Sequence, residues 1–216
     1  MHRTSTLCLG FLAILLLIFI GGCRRGPQQL LITSTDQYNE VLRQVFDLSR
    51  DPLATFEKGE TLQEVDLKQL DRAESLTRSL IEFRPTIFTL YTLLGKILLA
   101  KGQTESALGT LQQAVRLAPK VTDVDIILST ADSYRWLAEA WLRFGDPMAA
   151  EGAAREALKR VEQNPDYTQL VASTLVQQKK YDEALKMLDQ GLKISSQHYP
   201  SLRLKKFIES AQASGP

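Results

Sequence analysis

Residues 88–121 read FTLYTLLGKILLAKGQTESALGTLQQAVRLAPKV, and this stretch decides the fold. Apolar side chains at helical spacing lie on both sides of Gly102, which suits a tight reversal of the chain between two helices. Gly95 and Ala107 are small where two antiparallel helices would cross, and Pro119 ends the second helix because proline cannot continue it. The stretch therefore predicts a helix, a turn and a second helix packed against the first.

The small residues of this stretch return in two further copies. The second copy follows an insertion at 122–130, and the third follows the second directly, without an insertion. Lys179 stands in the third copy where the first two have glycine at the turn. The matching positions are Gly95, Gly102, Ala107, Leu111 and Ala114 in the first copy, Ala138, Gly145, Ala150, Ala154 and Ala157 in the second, and Ala172, Ala184, Leu188 and Gly191 in the third.

A period of about 34 residues with small side chains in this register resembles the tetratricopeptide repeat, a unit of two antiparallel helices. The resemblance implies an all-α, right-handed α-solenoid of about 3.5 repeats with capping helices at its N- and C-terminal ends. The full repeats then span 88–121, 131–164 and 165–198. A partial repeat at 65–87 precedes them, and a C-terminal capping helix and tail at 199–216 follows.

The segment 35–64 ahead of the partial repeat is predicted to hold an N-terminal helix and a loop. Apolar residues from Tyr38 to Phe46 recur at helical spacing between Thr35 and Ser49, which predicts an amphipathic helix there. Gly59 and polar residues follow, so Asp51 to Glu64 is expected to be a long connecting loop.

The insertion at 122–130 contains Val124, Ile126 and Ile127, with Asp123 placed to cap a helix that starts there. The simplest prediction is that the insertion extends the first helix of the middle repeat by about two turns. Its apolar side chains then either pack on the preceding helix or form an exposed patch for a partner or a second copy.

Residues 1–22 predict an export signal. Arg3 precedes an apolar run from Leu7 to Ile20, which is shorter than the roughly 20 residues that a membrane-spanning helix needs. The run ends in Ile20-Gly21-Gly22-Cys23, which resembles the lipobox of bacterial lipoproteins. That resemblance implies cleavage after Gly22 and acylation of Cys23. The alternative is an uncleaved membrane anchor with an incidental cysteine.

Residues 23–34 would then be the lipidated cysteine and a short tether, and lipid would hold the protein at a membrane. Arg24 stands where an aspartate would, in the lipoprotein family, direct retention in the inner membrane. The resemblance therefore implies the outer membrane facing the periplasm in a bacterium with two membranes. In a bacterium with one membrane it implies the outer face of the plasma membrane.

Composition argues against catalysis, cofactors, metal ions and nucleic acid as the basis of function. Once Arg3, Arg24 and Arg25 are set aside, 23 basic side chains face 25 acidic ones, and nucleic acid favours a concentrated basic face. Beyond the signal, Cys23 and His198 are the sole cysteine and histidine. Asp123 is interpreted as a helix cap and not as a metal ligand. We therefore expect no enzyme and no cofactor.

The repeat resemblance implies that the first helices of the units line a concave groove that binds a protein or peptide. Trp136 either anchors a ligand in this groove or is buried between helices. The favoured function is a lipid-anchored scaffold that organises envelope complexes; the alternative is a structural lipoprotein that self-assembles through its repeat ends and residues 122–130. The residues predicted to line the groove are Thr92, Lys96, Arg135, Trp136, Glu139, Arg143, Gln169, Ser173 and Gln177.

Overall fold

The computed structural model describes residues 30–213, and the secondary structure of this part is entirely helical. The predicted signal at 1–22 and the predicted lipidation site Cys23 lie outside the described residues. No helix within 30–213 combines the length and the apolar character needed to cross a bilayer. The helices are α1 (Thr35–Glu57), α2 (Glu64–Phe83), α3 (Phe88–Ala100), α4 (Thr104–Leu117), α5 (Val124–Phe144), α6 (Pro147–Arg160), α7 (Pro165–Gln177), α8 (Tyr181–Ile194) and α9 (Tyr199–Ala213).

The helices stack as antiparallel pairs in chain order. α1 packs on α2, α3 on α4, α5 on α6 and α7 on α8, while each second helix also contacts the first helix of the next pair. The first helices α1, α3, α5 and α7 contact one another in sequence, and α9 packs on α7 and α8. This arrangement confirms the predicted all-α solenoid.

The repeated small residues lie where the helices cross. Ala107, Ala138, Ala150, Ala172 and Ala184 are fully buried, which allows close approach of the helix backbones. The turns of the three copies share one backbone conformation as well: φ is +76° at Gly102, +94° at Gly145 and +61° at Lys179. Lys179 therefore adopts the left-handed conformation that its glycine counterparts reach without steric cost.

The prediction for residues 35–64 needs a correction, because α1 continues through Pro52 to Glu57 and the connection to α2 is only 58–63. Pro52 and Leu53 are buried, and Leu53 belongs to an apolar cluster with Leu70 and Leu80 of α2. This burial compensates for the hydrogen bond that proline removes from the helix. α1 and α2 consequently form a complete pair, so residues 30–213 contain four pairs and α9.

The insertion is helical from Val124 onward. The Asp123 carboxylate caps α5 by accepting a hydrogen bond from the Ile126 backbone N–H at 3.1 Å. Ile126 and Ile127 are half-buried, whereas Val124 and Leu128 are 67% and 47% exposed. The insertion thus lengthens the core on one side of α5 and exposes apolar side chains on another.

Helix α9 begins at Tyr199, one repeat length after the start of α7 at Pro165, where the first helix of another repeat would begin. Lys206 stands in α9 at the position of Gly95, Ala138 and Ala172, and it is exposed. A lysine at this crossing position prevents the close approach of a second helix. α9 therefore closes the stack, with Ser201 and Ile208 buried against the preceding pair.

Candidate functional site

A pocket of about 540 Å³ opens between α1, α5 and α7 on the face formed by the first helices. We call it the polar pocket. The last turn of α1 forms one wall and the start of α7 the opposite wall, with α5 between them. Its lining residues are Phe56 and Glu57 from α1; Arg135, Trp136, Glu139 and Arg143 from α5; and Asn164, Asp166, Tyr167, Gln169 and Leu170 from α7 and its cap.

Trp136 is buried at the base of the polar pocket, with 2% of its surface exposed. The Phe56 ring stacks on the indole with a centroid distance of 6.3 Å and an interplanar angle of 21°. Lys96 Nζ and Arg135 Cζ lie 4.9 and 4.2 Å from the centroid of the indole ring. Trp136 is therefore packed between side chains, which agrees with the second of its two alternatives, burial between helices, although it still lines the base of the polar pocket.

The indole Nε1–H of Trp136 is buried and has no hydrogen-bond acceptor within the described residues. A buried donor without an acceptor costs about 1–3 kcal/mol. Phe56 and Lys96 therefore cover a residue that contributes packing but leaves its polar group unsatisfied.

Each cation near the polar pocket has a carboxylate partner. Arg135 pairs with Asp132 at 3.0 Å and Arg143 pairs with Glu139 at 2.9 Å, both within α5. Lys96 reaches Glu57 across the groove at 3.4 Å. The cations are consequently neutralised by neighbouring carboxylates, so the pocket offers hydrogen-bond donors and acceptors without an unpaired positive charge to attract a strongly acidic ligand.

On the α7 side, Asp166 is mostly exposed and lies 3.0 Å from His198 Nε2. The other His198 nitrogen lies 2.7 Å from the Ser201 hydroxyl, so the imidazole connects the first turns of α7 and α9. His198 therefore fixes one wall of the polar pocket to the closing helix.

The polar pocket unites Arg135, Trp136, Glu139, Arg143 and Gln169 from the predicted set. Thr92 is buried, and its hydroxyl lies 2.7 Å from Ser133 Oγ, so it joins α3 to α5. Thr92 is therefore absent from the polar pocket and lines a neighbouring cavity instead.

Ser173 and Gln177 lie further along α7 and do not line the polar pocket. Ser173 accepts a hydrogen bond from Gln169 Nε2 at 3.0 Å, while Gln177 is exposed. The predicted groove thus divides into residues that share a pocket and residues that lie beyond it.

The predicted groove set lacked Phe56, Glu57, Asn164, Asp166, Tyr167 and Leu170, which also line the polar pocket. Phe56 and Glu57 fell in the predicted loop, although Val45, Leu53 and Phe56 continue one helical spacing and could have extended the helix. Tyr167 follows the cap of α7, where Asn164 Oδ1 accepts a hydrogen bond from the Asp166 backbone N–H at 2.8 Å.

A second cavity of about 430 Å³ lies between α1, α3 and the extended start of α5, and we call it the apolar groove. Phe46 on α1 and Leu128 on α5 face each other as walls, and Leu90 and Leu93 of α3 lie between them. Its lining residues are Tyr38, Leu42, Phe46, Thr89, Leu90, Thr92, Leu93, Lys96, Leu128, Ser129 and Asp132.

Two family models described as tetratricopeptide repeat match the chain, one over residues 92–165 and the other over 167–198. Tetratricopeptide repeats are therefore found over residues 92–165 and 167–198. No curated protein matches it significantly.

Solved structures share the fold at low sequence identity. A crystal structure of MamA protein aligns with a TM-score of 0.59 and 16% identity, covering 81% of this chain and 84% of that one. A second MamA crystal structure aligns with a TM-score of 0.58 and 16% identity, covering 71% of this chain and 86% of that one. A chain of the APC/C hetero-tetramer Cut9–Hcn1 aligns with a TM-score of 0.61 and 17% identity, covering 80% of this chain and 32% of that one. These likenesses establish a common solenoid architecture.

Proposed function

We propose that the protein is a non-enzymatic scaffold that binds a segment of another protein in its polar pocket. Tetratricopeptide domains commonly bind proteins or peptides, and this chain carries such repeats over 92–165 and 167–198. The proposal assigns the recognition step to the groove formed by α1, α5 and α7.

The polar pocket is the observation that supports this function. It combines paired guanidinium and carboxylate groups with the amides of Asn164 and Gln169, which can satisfy the donors and acceptors of a peptide backbone. Arg143 lies over Phe56, with Cζ 4.7 Å from the ring centroid, so its charged group is held in place before a ligand arrives. An extended or turn-forming peptide segment of near-neutral charge fits these features.

We further propose that acylated Cys23 tethers this scaffold to the cell envelope, where it organises envelope complexes. The lipobox resemblance of Ile20-Gly21-Gly22-Cys23 supports this location. The described helices begin at Thr35, so only a short tether would separate the solenoid from the lipid.

Photocrosslinking in intact cells tests the binding site. A photoreactive amino acid replaces Gln169, which lines the polar pocket, and in a matched control it replaces Gln177, which is exposed on the same helix. We expect a defined protein adduct from position 169 that is absent from position 177 and is reduced at least about tenfold by Arg143→Glu. The same adducts from both positions, unaffected by Arg143→Glu, would place recognition elsewhere.

The anchor is tested separately by metabolic labelling with a fatty acid. Wild-type protein is expected to incorporate label and migrate as the mature form. Cys23→Ala is expected to lose the label and accumulate as precursor. Persistent labelling of Cys23→Ala would refute the lipobox interpretation and leave the pocket proposal untouched.

A further inference from the structure

We propose that the chain binds a small carboxylate carried on an apolar chain, the chemistry of a fatty acid, in a cavity that the insertion at 122–130 forms with the ends of α4 and α6. We call it the insertion cavity. Its volume is about 410 Å³, within the range of about 300–1,000 Å³ typical of small-molecule sites. Among the described residues it shares no lining side chain with the polar pocket, so the two sites can be occupied independently.

Apolar side chains form much of the lining of the insertion cavity. Ile127, from the added turns of α5, lines it together with Val115 of α4 and with Pro119 and Val121 of the connection between them. Ile127 and Val115 are half-buried, and Val121 is 46% exposed. These side chains remain partly in water, and an apolar chain in the cavity would cover them.

Thr130 supplies an unsatisfied hydroxyl to the lining. The residue is 5% exposed, and its Oγ1 is buried without a hydrogen-bond partner in residues 30–213. A buried helical threonine or serine normally donates to the carbonyl four residues earlier, as Thr77 does to Ala73 at 2.7 Å and Ser133 to Ser129 at 2.9 Å. Every other buried serine or threonine side chain of the described residues has a partner. The Thr130 hydroxyl is therefore available to a ligand that enters the cavity.

The cavity lining carries more positive than negative charge. Lys120, in the connection, and Lys159, in α6, line it and form no ion pair within residues 30–213. Arg160 and Glu156 line it as well and pair with each other at 2.6 Å. The hydrogen bond from Arg160, assisted by the charge of Lys159, holds the pKa of Glu156 below its ordinary value, so this pair stays ionised at neutral pH. The two lysines are left as the excess charge.

The neighbouring charged residues that do not line the cavity leave this balance in place. The Asp123 carboxylate is engaged in capping α5. Asp125 lies on the other side of α5 from Thr130, since five residues correspond to about 140° around a helix. Glu162, after the end of α6, and Arg116, near the end of α4, are exposed outside the lining. The cavity itself therefore favours an anion.

Arg160 is held in a fixed position beside Thr130. Its Cζ lies 4.3 Å from the ring centroid of Tyr134, one turn after Thr130 on α5. Its Nη1 donates to the side chain and to the backbone carbonyl of Glu156 at 2.6 and 2.7 Å, which leaves the N–H groups of Nε and Nη2 for another acceptor.

A carboxylate on an apolar chain matches these features together. Its two oxygens can accept from the Thr130 hydroxyl and from the remaining N–H groups of Arg160. Its charge is attracted by Lys120 and Lys159, and its chain covers the apolar lining. A phosphate presents three terminal oxygens and would need more donors than this lining supplies.

Photolabelling of the full-length protein in isolated membranes tests the site. The probe is a medium-chain fatty acid that carries a diazirine, and the matched probe is the primary alcohol with the same chain. Adducts that depend on irradiation are mapped by mass spectrometry, which separates them from any acyl group on Cys23. We expect the acid to label the peptides covering residues 117–135, and the alcohol to label them at least about tenfold less. Excess octanoate should compete with the acid probe, whereas the same concentration of acetate should not.

Two variants connect the labelling to the cavity. Thr130→Val keeps the shape of the side chain but removes the hydroxyl, and Lys159→Glu reverses one of the unpaired charges; each is expected to reduce labelling at least about fivefold. Lys186→Glu is the control, because Lys186 is exposed on α8 and lines neither the polar pocket nor the insertion cavity. It should label like wild type.

Thermal unfolding checks that the variants are folded, and Thr130→Val should be at least as stable as wild type because it removes a polar group that has no partner. Equal labelling by the acid and the alcohol, competition by acetate, or wild-type labelling of both Thr130→Val and Lys159→Glu would overturn the proposal. Absence of any adduct within residues 117–135 would overturn it as well.

Discussion

The Glu74 carboxylate accepts a hydrogen bond from Lys101 Nζ at 2.6 Å, linking α2 to the turn after α3. The same link recurs two repeats further along the chain, where Glu151 accepts a hydrogen bond from Gln178 Nε2 at 2.7 Å. Arg78 and Arg155 occupy matching positions and pair with the two glutamates. At the intervening junction Leu108 and Phe144 stand at these positions, so this particular link is absent there.

Loss of the first link is expected to destabilise the stack. Lys101 and Glu74 have side chains only 14% and 16% exposed, so Lys101→Met leaves Glu74 with Arg78 as its remaining cationic partner. We expect a loss of about 1–3 kcal/mol in the free energy of unfolding, measured by urea titration at pH 7. Lys68→Met removes the exposed Lys68–Glu64 pair and should change the free energy of unfolding by less than about 0.5 kcal/mol. Equal effects of the two substitutions would contradict the link.

The two glutamates also predict acid sensitivity. Burial raises the pKa of Glu74, but hydrogen bonds from Lys101 and Arg78 together outweigh it and hold the pKa below its ordinary value of 4.5. For Glu151, burial again raises the pKa, while Gln178 and Arg155 bring it below the ordinary value. A carboxyl whose pKa is lower in the folded state stabilises the fold above its unfolded pKa and loses that contribution as pH falls through its folded pKa.

Unfolding measured from neutral pH down to about pH 3 should therefore show a steeper loss of stability below about pH 4.5 in wild type than in the double variant Glu74→Gln, Glu151→Gln. The amide variant should start less stable at pH 7 and approach wild type in acid. If the free energy of unfolding fell with pH in the same way for both proteins, the acid sensitivity would not come from Glu74 and Glu151.

Gly95→Ala tests the close crossing of α3 and α4. A Cβ at Gly95 would lie 2.6 Å from Leu111 Cδ2, and Leu111 is fully buried and cannot move aside. We expect Gly95→Ala to lower the free energy of unfolding by about 1–3 kcal/mol. Gly109→Ala on the exposed side of α4 meets no atom within 4 Å and should stabilise by about 0.5–1 kcal/mol. Differential scanning calorimetry of both variants measures the contrast, and a stabilising Gly95→Ala would disprove the crossing.

Lys179→Gly tests the strained turn of the third repeat. Lys179 has φ +61°, so glycine should relieve steric cost and raise the free energy of unfolding by about 0.5–1 kcal/mol. Lys180→Gly, at the next position with φ −88°, should lower stability instead. Chemical denaturation of the two variants gives the comparison; a destabilising Lys179→Gly would mean that its side-chain contacts outweigh the backbone strain.

Phe56→Ala tests whether the last turn of α1 covers Trp136. Removing the ring should admit water to the indole, shift its fluorescence emission to longer wavelength, and cost about 1–2 kcal/mol of stability. The measurement is made in a Trp141→Phe background, so that Trp136 alone reports. Phe46→Ala, on the same helix but in the apolar groove, should leave the emission unchanged. An unshifted spectrum in Phe56→Ala would show that other side chains shield the indole.

The repeat register allowed the helices, turns and crossing residues from α3 to α8 to be predicted, because small residues at fixed spacing reflect backbone contact directly. The end of α1 could not be predicted in this way. Pro52 has a local preference against helix, and only burial of this part of α1 against Leu70 and Leu80 overcomes it.

Five of the eleven residues that line the polar pocket were predictable for the same reason. Arg135, Trp136, Glu139, Arg143 and Gln169 follow from projecting the first helices onto the concave face. Phe56 of α1 reaches Trp136 of α5 past the whole of the intervening pair, and a periodic pattern carries no information about such a contact. Burial of Thr92 likewise depends on Ser133 of the next repeat.

Lys206 has a consequence for how such a protein could evolve. Duplication of a single repeat is a simple route to a longer solenoid, since each unit supplies the surface on which the next one packs. A unit added after α9 would meet a charged side chain where its predecessors offered glycine or alanine. Insertion of a unit between existing repeats would meet no such obstacle, because the interior crossing positions 95, 138 and 172 carry glycine or alanine.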